Sequence, residues 1–353
     1  MNYKEALEHC IFKYLSGSHC YGTNVPESDE DYRGVFIAPL IKAFELFNTS
    51  YIGRGSIGQQ LKNTLTNLEG NDFETAKFQL KCIIDENEQG DLNLSVGTVS
   101  NPGNDDELQE LRKFFKLAAD CNPNIIEFLF VEKGIIIEHP IWIKIRNHKD
   151  LFLSKKARFT FSGYAISQLK RIQTHRGYLL NPKEKPLRKD FGLPETTIIP
   201  SDLLRAILSL RSEWVQPDVR EIVLCEQKFH LALREFRSYE KWKTERNEKR
   251  RLIESKCGFD GKHASHLLRL VRMAKEILST GKVNVHRHNI DADELKSFRN
   301  GERSYDELMK ITENIDKDLD ELYQKSVLRK SADHKKIAEL YKEICEEYYG
   351  IKL

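Results

Sequence analysis

The chain has 353 residues, which allows one large domain or two ordinary ones and a sizeable buried core. With 31% charged and 40% hydrophobic residues and a net charge of +2, it is globular rather than disordered, and its global charge does not announce a polyanion partner. Seven cysteines without a CxxC spacing point away from a zinc ribbon or disulfide framework, and the lack of a long apolar run predicts a cytoplasmic protein with no membrane attachment.

Residues 3–9 read as a short amphipathic helix, and Ile11 to Leu15 as a strand entering a turn at Gly17-Ser18. After a helical segment, Tyr32 to Ile37 reads as a second strand, with Asp29 and Asp31 at its N-terminal edge. This order opens a small mixed sheet. Pro39 followed by Ile41, Phe44, Leu46 and Phe47 suggests a loop with apolar anchors. Residues 52–62 and 85–106, rich in Gly, Asn, Asp and Gln, read as loops on either side of a strand or short helix from Ala76 to Ile84. Glu107 to Ala119 has Leu108, Leu111, Phe114, Phe115 and Leu117 at helical spacing. Asn122-Pro123-Asn124 then breaks the chain before a buried apolar run, Ile125 to Val131.

From about residue 155 the pattern is helical. Helices are predicted from Arg158 to Thr174, from Ser201 (as N-cap) to Arg211, and once or twice over residues 216–254. A further helix from His263 to Thr280 is closed by Gly281. Asp291–Phe298, Ser304–Tyr323 and Ala332–Tyr349 complete the set, the second opening on a Ser304-x-x-Glu307 capping box. Residues 181–200, with four prolines, read as an ordered loop or a crossing between domains. The expected class is α+β: a small mixed sheet with flanking helices over residues 1–150, then an α-helical domain over residues 151–353.

The chemistry concentrates in Gly17 to Phe36, GSHCYGTNVPESDEDYRGVF. A Gly lets backbone approach a phosphate closely, and Ser18 adds a hydroxyl and an N–H. Asp29 and Asp31, two apart on a strand, point to one face and offer hard oxygen ligands for divalent cations, as in-line nucleotidyl transfer requires. A polar turn between two strands is the plain alternative. Further along, His263, His266, Arg269 and Arg272 share one helical face, with Lys262 beside it. Such a stripe is costly to bury and suits a phosphate or nucleic acid. His175-Arg176-Gly177 reads either as closing over a nucleotide or acceptor or as a structural turn, and Arg33 either as contacting a triphosphate or as pairing with a carboxylate. His286-Arg287-His288 reads as a basic loop, and Arg246 to Arg251 as a solvated helix face.

The apolar strand, Gly17-Ser18-His19-Cys20-Tyr21-Gly22-Thr23 and Ser28-Asp29-x-Asp31-Tyr32-Arg33-Gly34-Val35 together resemble the signature of the DNA-polymerase-β-like nucleotidyltransferases. The closer likeness is to the RNA-repair-pathway branch found in bacteria and tailed phages. It continues through Leu111-Arg112-Lys113-Phe114, Asn122 to Glu127, His175-Arg176-Gly177, Lys262 to Leu270, Arg299-Asn300-Gly301 and Ser304-Tyr305. The resemblance implies a polymerase-β-like catalytic core, Mg²⁺ or Mn²⁺ as cofactor and a nucleoside triphosphate as substrate. It implies Asp29 and Asp31 as metal ligands, with Glu107 or Asp105 as the third carboxylate. Gly17, Ser18 and His19, with Arg33, His175, Arg176, Lys262, His263, His266 and Arg269, are then the nucleotide- and phosphate-binding set. The acceptor it implies is an RNA end, a damaged tRNA among them. The rivals are transfer of AMP to a protein hydroxyl and an inactive nucleic-acid-binding module.

Overall fold

The computed structural model describes residues 1–26, 28–39, 97–101, 105–195, 199–210 and 215–352. The expectations for Ile41 to Phe47, residues 52–62 and Ala76 to Ile84 lie outside the described residues, as does most of the 85–106 stretch.

The chain opens with α1 (Tyr3–Glu8), β1 (Cys10–Leu15), α2 (Gly17–Tyr21) and β2 (Tyr32–Phe36). Asn2 and Glu5 close a capping box on α1. Next come β3 (Thr98–Ser100), β4 (Glu107–Glu110), α3 (Leu111–Ala119), α4 (Pro123–Ile126), a 3₁₀ turn over Glu127–Phe130, β5 (Ile135–Glu138) and α5 (Pro140–Asn147). Among the described residues the sheet has the order β3-β4-β2-β1-β5. The β2–β4 pair is parallel, and β1–β2, β1–β5 and β3–β4 are antiparallel, so the sheet is mixed as expected.

Glu107 to Ala119 is not one helix. Its first four residues pair as β4, and Glu110 turns the chain by accepting hydrogen bonds from the N–H groups of Arg112 at 2.8 Å and Lys113 at 3.4 Å. The helical spacing is real from Leu111 onward. Leu108 fits both periods, and its place in a parallel strand next to β2 decides between them. Thr98–Ser100, expected as loop, is the strand that covers the outer edge of β4.

One face of the sheet is apolar at one end and charged at the other. Phe12 stacks on Trp142 of α5 at 4.2 Å between ring centroids, and Tyr14 meets Phe128 edge-on at 5.1 Å. Along the same face, β2 presents Val35 and then Arg33, beside Gln109 and Glu107 of β4. The apolar end is sealed by α3 and α5, whereas the charged end opens on the cleft described below. The other face carries a small cluster of Ala6, Phe36, Ala38 and Leu108 under α1.

The remainder is helical: α6 (Ala157–Leu180), α7 (Ser201–Ser209), α8 (Pro217–Glu245), α9 (Glu248–Cys257), α10 (Gly261–Thr280), α11 (Ala292–Arg299), α12 (Tyr305–Thr312), α13 (Ile315–Lys325) and α14 (His334–Tyr349). Ser201 is the first helical residue rather than the cap, which is Pro200. The Ser304 capping box forms as read, but its helix ends at Thr312 and restarts at Ile315. Gly281 closes α10 with φ of 67°, the left-handed conformation that favours glycine. Helix α10 is the axis of this half. It buries Leu267, Leu268, Leu270, Val271, Met273, Ile277 and Leu278 and packs along α6.

One apolar cluster runs from Phe12 and Trp142 through Leu267 and Ile277 to Ile344 of α14. The last helix returns to the sheet, where Tyr349 donates to the Ala38 carbonyl at 2.6 Å and the Tyr348 hydroxyl meets His9 Nδ1 at 2.9 Å. Among the described residues, no helix is long and apolar enough to cross a membrane, and six cysteines carry free thiols.

Candidate active site

Where β1 ends, the Ser16 N–H donates to the Asp31 carbonyl at 2.7 Å and fixes the start of the Gly17 turn beside β2. Gly17 has φ of +61°, and a Cβ there would lie 2.5 Å from Asp31 Oδ2. The carboxylate therefore rests directly on bare backbone, which only glycine permits. Gly17→Ala is expected to cost about 1–3 kcal/mol through overpacking and left-handed strain and to displace the Asp31 carboxylate. An unchanged denaturant midpoint would disprove that contact.

Parallel pairing sets Glu107 next to Arg33, and the two side chains form an ion pair. Asp106, between Asp105 and Glu107, takes the opposite face. There it accepts from the Tyr32 N–H and the Tyr3 hydroxyl, both at 3.3 Å, and lies 3.9 Å from Lys13 Nζ. This alternation leaves Asp105 and Glu107 on the side of Asp31. Burial pushes the Asp31 carboxyl up from its ordinary range, and the Asp105 charge adds to that; Arg33 and Lys262 oppose it, while Asp29 reinforces it.

Asp31 faces a cleft of about 590 Å³. One wall holds Gly17, Ser18, Arg33 and Glu107. The other is built by four helices, α6 supplying Arg171, α9 supplying Arg250, α10 supplying Lys262, His263 and His266, and α11 supplying Arg299. Lys262 is exposed to the cleft, yet the surrounding wall desolvates its ammonium and, with the charges of Arg250 and Arg299, lowers its pKa; Asp31 and Asp29 work the other way. Burial and Arg250 likewise lower the Arg299 pKa, against the pull of Asp29 and Asp31. Arg299 also donates to the Thr23 carbonyl at 2.9 Å and to Ser28 Oγ at 3.3 Å, which ties α11 to the loop before Asp29. Among the described residues, Arg171, Arg250 and Lys262 have no carboxylate within ion-pairing distance, and neither Asp29, Asp31 nor Asp105 has a basic partner there.

Several residues expected to bind phosphate have other partners. Arg269 is 5% exposed, donates to Glu127 Oε2 at 3.1 Å and lies 3.6 Å from the Tyr21 ring centroid, while the Tyr21 hydroxyl donates to Glu127 Oε1 at 2.6 Å. Arg272 turns away to Asp291 and Glu294, at 2.7 Å each. Arg176 donates to the Gly258 carbonyl at 3.0 Å and covers the Tyr305 ring, so it joins α6 to the end of α9 rather than facing the cleft. His19 braces the loop through the Ser28 carbonyl at 3.2 Å. The basic loop is a structural knot. Arg287 is fully buried between Glu276 and Asp291, and His286 holds the Cys20 carbonyl at 3.0 Å while accepting from the N–H groups of Glu132 and Lys133.

His175, His263 and His266 are held toward their neutral forms by burial, with neighbouring positive groups adding to the effect. For His266 the pKa falls to about 3, its Nε2 is buried without a hydrogen-bond partner, and its ring meets Tyr164 edge-on at 5.3 Å. An unfolded histidine takes up a proton below about 6.5, whereas the folded one does not until about 3. The stabilisation is therefore full above pH 6.5 and is lost as pH falls through that window. The urea midpoint should drop between pH 7 and pH 5, and His266→Gln should flatten the slope. An equal slope in the variant would assign the acid sensitivity to other groups.

Arg171 and Arg250 escaped sequence reasoning. Arg250 lies in a run that reads as a solvated face, and only the approach of α9 to α10 brings it to the cleft wall beside Lys262. Glu127 sits inside an apolar run, where a lone carboxylate was itself the available signal.

No family model matches the chain, and no solved structure matches it. Among curated proteins it is similar to an uncharacterized 38.9 kDa protein of the nrdC-mobD intergenic region of Enterobacteria phage T4, with 23% identity over 297 residues, covering 77% of each chain.

Proposed function

We propose that the cleft is the active site of a divalent-cation-dependent nucleotidyltransferase that moves a nucleoside monophosphate from a nucleoside triphosphate to an acceptor hydroxyl. The observation that carries this reading is the facing of two unbalanced charge sets. Asp31, crowded by Asp105 and Asp29, stands across the cleft from the unpaired Lys262 and Arg250. A triphosphate answers the cations, and a divalent cation answers the carboxylates. Burial raises the Asp31 pKa and the Asp105 and Asp29 charges add to it, so a divalent cation would relieve both the desolvation and the repulsion, and the all-oxygen donor set fits Mg²⁺ or Mn²⁺. Asp29, Asp31 and Asp105 would hold it, with Glu107 positioned by Arg33.

When bound, such a cation lowers the pKa of an attacking hydroxyl and screens the leaving pyrophosphate. The chain supplies the rest. Gly17 lets the Asp31 carboxylate sit against the turn, and the Ser18 hydroxyl would receive a phosphate oxygen. Lys262, Arg250 and Arg299 neutralise the charge that builds on the phosphates as the acceptor oxygen attacks and pyrophosphate departs. An RNA end, including that of a tRNA, is the acceptor class supported by the sequence resemblance.

The test is incubation with Mg²⁺, each α-labelled nucleoside triphosphate in turn and total RNA, with Asp29→Asn/Asp31→Asn as control. Label on RNA that disappears in the control is the expected result. Label on protein would replace the RNA acceptor with a protein hydroxyl. RNA binding that weakens with salt, without any label transfer, would favour the inactive binding module.

A further inference from the structure

At the cleft wall, three potential metal ligands meet at the junction of α6 with the start of α10. His175 comes from α6, Asp260 is the N-cap of α10, and His263 lies in its first turn. Their ligand atoms all fall within 4.8 Å of one another. None of them belongs to the acidic set around Asp31.

The details match a metal site better than a simple packing contact. His263 Nε2 lies 3.6 Å from Asp260 Oδ2. Two ligands on one tetrahedral zinc, each at about 2.0–2.1 Å from it, stand about 3.3 Å apart, so the pair needs only a small inward movement. The other nitrogen of His263 is 2.7 Å from Gln168 Oε1. Gln168 is 2% exposed, and its amide oxygen can only accept, so Nδ1 carries the proton and the Nε2 lone pair is left for a ligand bond. The other oxygen of Asp260 is occupied by the His263 N–H at 3.1 Å, which fixes the carboxylate as the cap. His175 has the remaining loose end. Its Nδ1 is buried with no hydrogen-bond partner, and its ring centroid is 5.9 Å from that of His263. A buried imidazole nitrogen without a partner is costly unless something binds it. Both rings are held neutral by burial, the protonation state that a metal requires.

We propose that His175, Asp260 and His263 form a transition-metal site of the zinc class that clamps α6 to the first turn of α10. Two imidazoles and one carboxylate suit Zn²⁺ and exclude Mg²⁺, which prefers all-oxygen ligands. Three protein ligands leave a fourth position for water or a substrate oxygen. The bound site carries net charge +1 and adds to the basic wall, because His263 lines the cleft next to Lys262. The proposal does not depend on the nucleotidyltransferase reading.

The experiment loads the metal-free full chain with one equivalent of Zn²⁺ and counts imidazole scatterers by X-ray absorption at the zinc edge. Two imidazoles are expected, and a signal with oxygen ligands alone, or no retained zinc, overturns the proposal without any variant. Co²⁺ loading in the presence of excess Mg²⁺ should give the intense visible bands of a tetrahedral ion. His175→Gln and His263→Gln should each weaken that binding by at least about tenfold, the scale already reached when a second-shell partner is lost. Asp31→Asn should leave it unchanged. Bands that persist in both histidine variants, or that vanish only in Asp31→Asn, would transfer the metal to another site and sink the assignment.

Discussion

Replacing Asp31 by Asn should lower label transfer by on the order of 10²–10³-fold or more, the scale seen when one preorganised electrostatic group is removed from an active site. The fold should survive, and stability should hold or rise. Burial, Asp105 and Asp29 all disfavour the charged form of Asp31, so the neutral amide removes a repulsion that the folded chain otherwise bears. Loss of activity with retained or increased stability is the mark of a residue kept for function. The check pairs the transfer assay with a denaturant titration of the same sample. Activity and stability lost together would mean that Asp31 merely supports the fold, and full activity in the variant would remove the carboxylate set from the chemistry. Asp29→Asn should behave the same way with a smaller stability gain, because Asp29 is exposed.

Glu127→Ala should destabilise the fold by about 3–5 kcal/mol, because it leaves the Arg269 guanidinium buried without its carboxylate. Burial raises the Glu127 pKa, and the Arg269 charge and the Tyr21 hydroxyl work against that. The variant also strips the Tyr21 hydroxyl of its acceptor. Glu127→Gln keeps the shape and one acceptor oxygen and should cost less. A Glu127→Leu/Arg269→Met double variant should recover much of the loss, since an apolar pair of similar volume has no charge to desolvate. Equilibrium denaturation of the wild type, Glu127→Leu, Arg269→Met and the double variant measures the coupling. A Glu127→Ala midpoint near that of the wild type would show that water reaches Arg269 and that the pair is not buried in solution.

Much of the scaffold was legible because local rules sufficed. Ser304 accepts the Glu307 N–H at the start of α12, and Gly281 ends α10 in the left-handed conformation, both as read. The Asp29-x-Asp31 pair was also readable at the edge of a strand, which begins at Tyr32. One error fell where two periods overlapped. Glu107 to Glu110 satisfies helical spacing, but the neighbouring β2 offers it backbone hydrogen bonds that a free segment lacks.

The sequence by itself determined the α+β class, the glycine turn before an Asp-x-Asp pair, and the Ser304 and Gly281 caps, all set by bonds within a few residues. Only the tertiary structure decided what each charge meets. Arg269, Arg272 and Lys262 share a short stretch of one helix, yet the first is buried on Glu127, the second is bound to Asp291 and Glu294, and the third is exposed to the cleft facing Asp31. A charge is screened within about 8–10 Å, far less than the span of the fold, so its role depends on neighbours brought in by packing rather than by chain order.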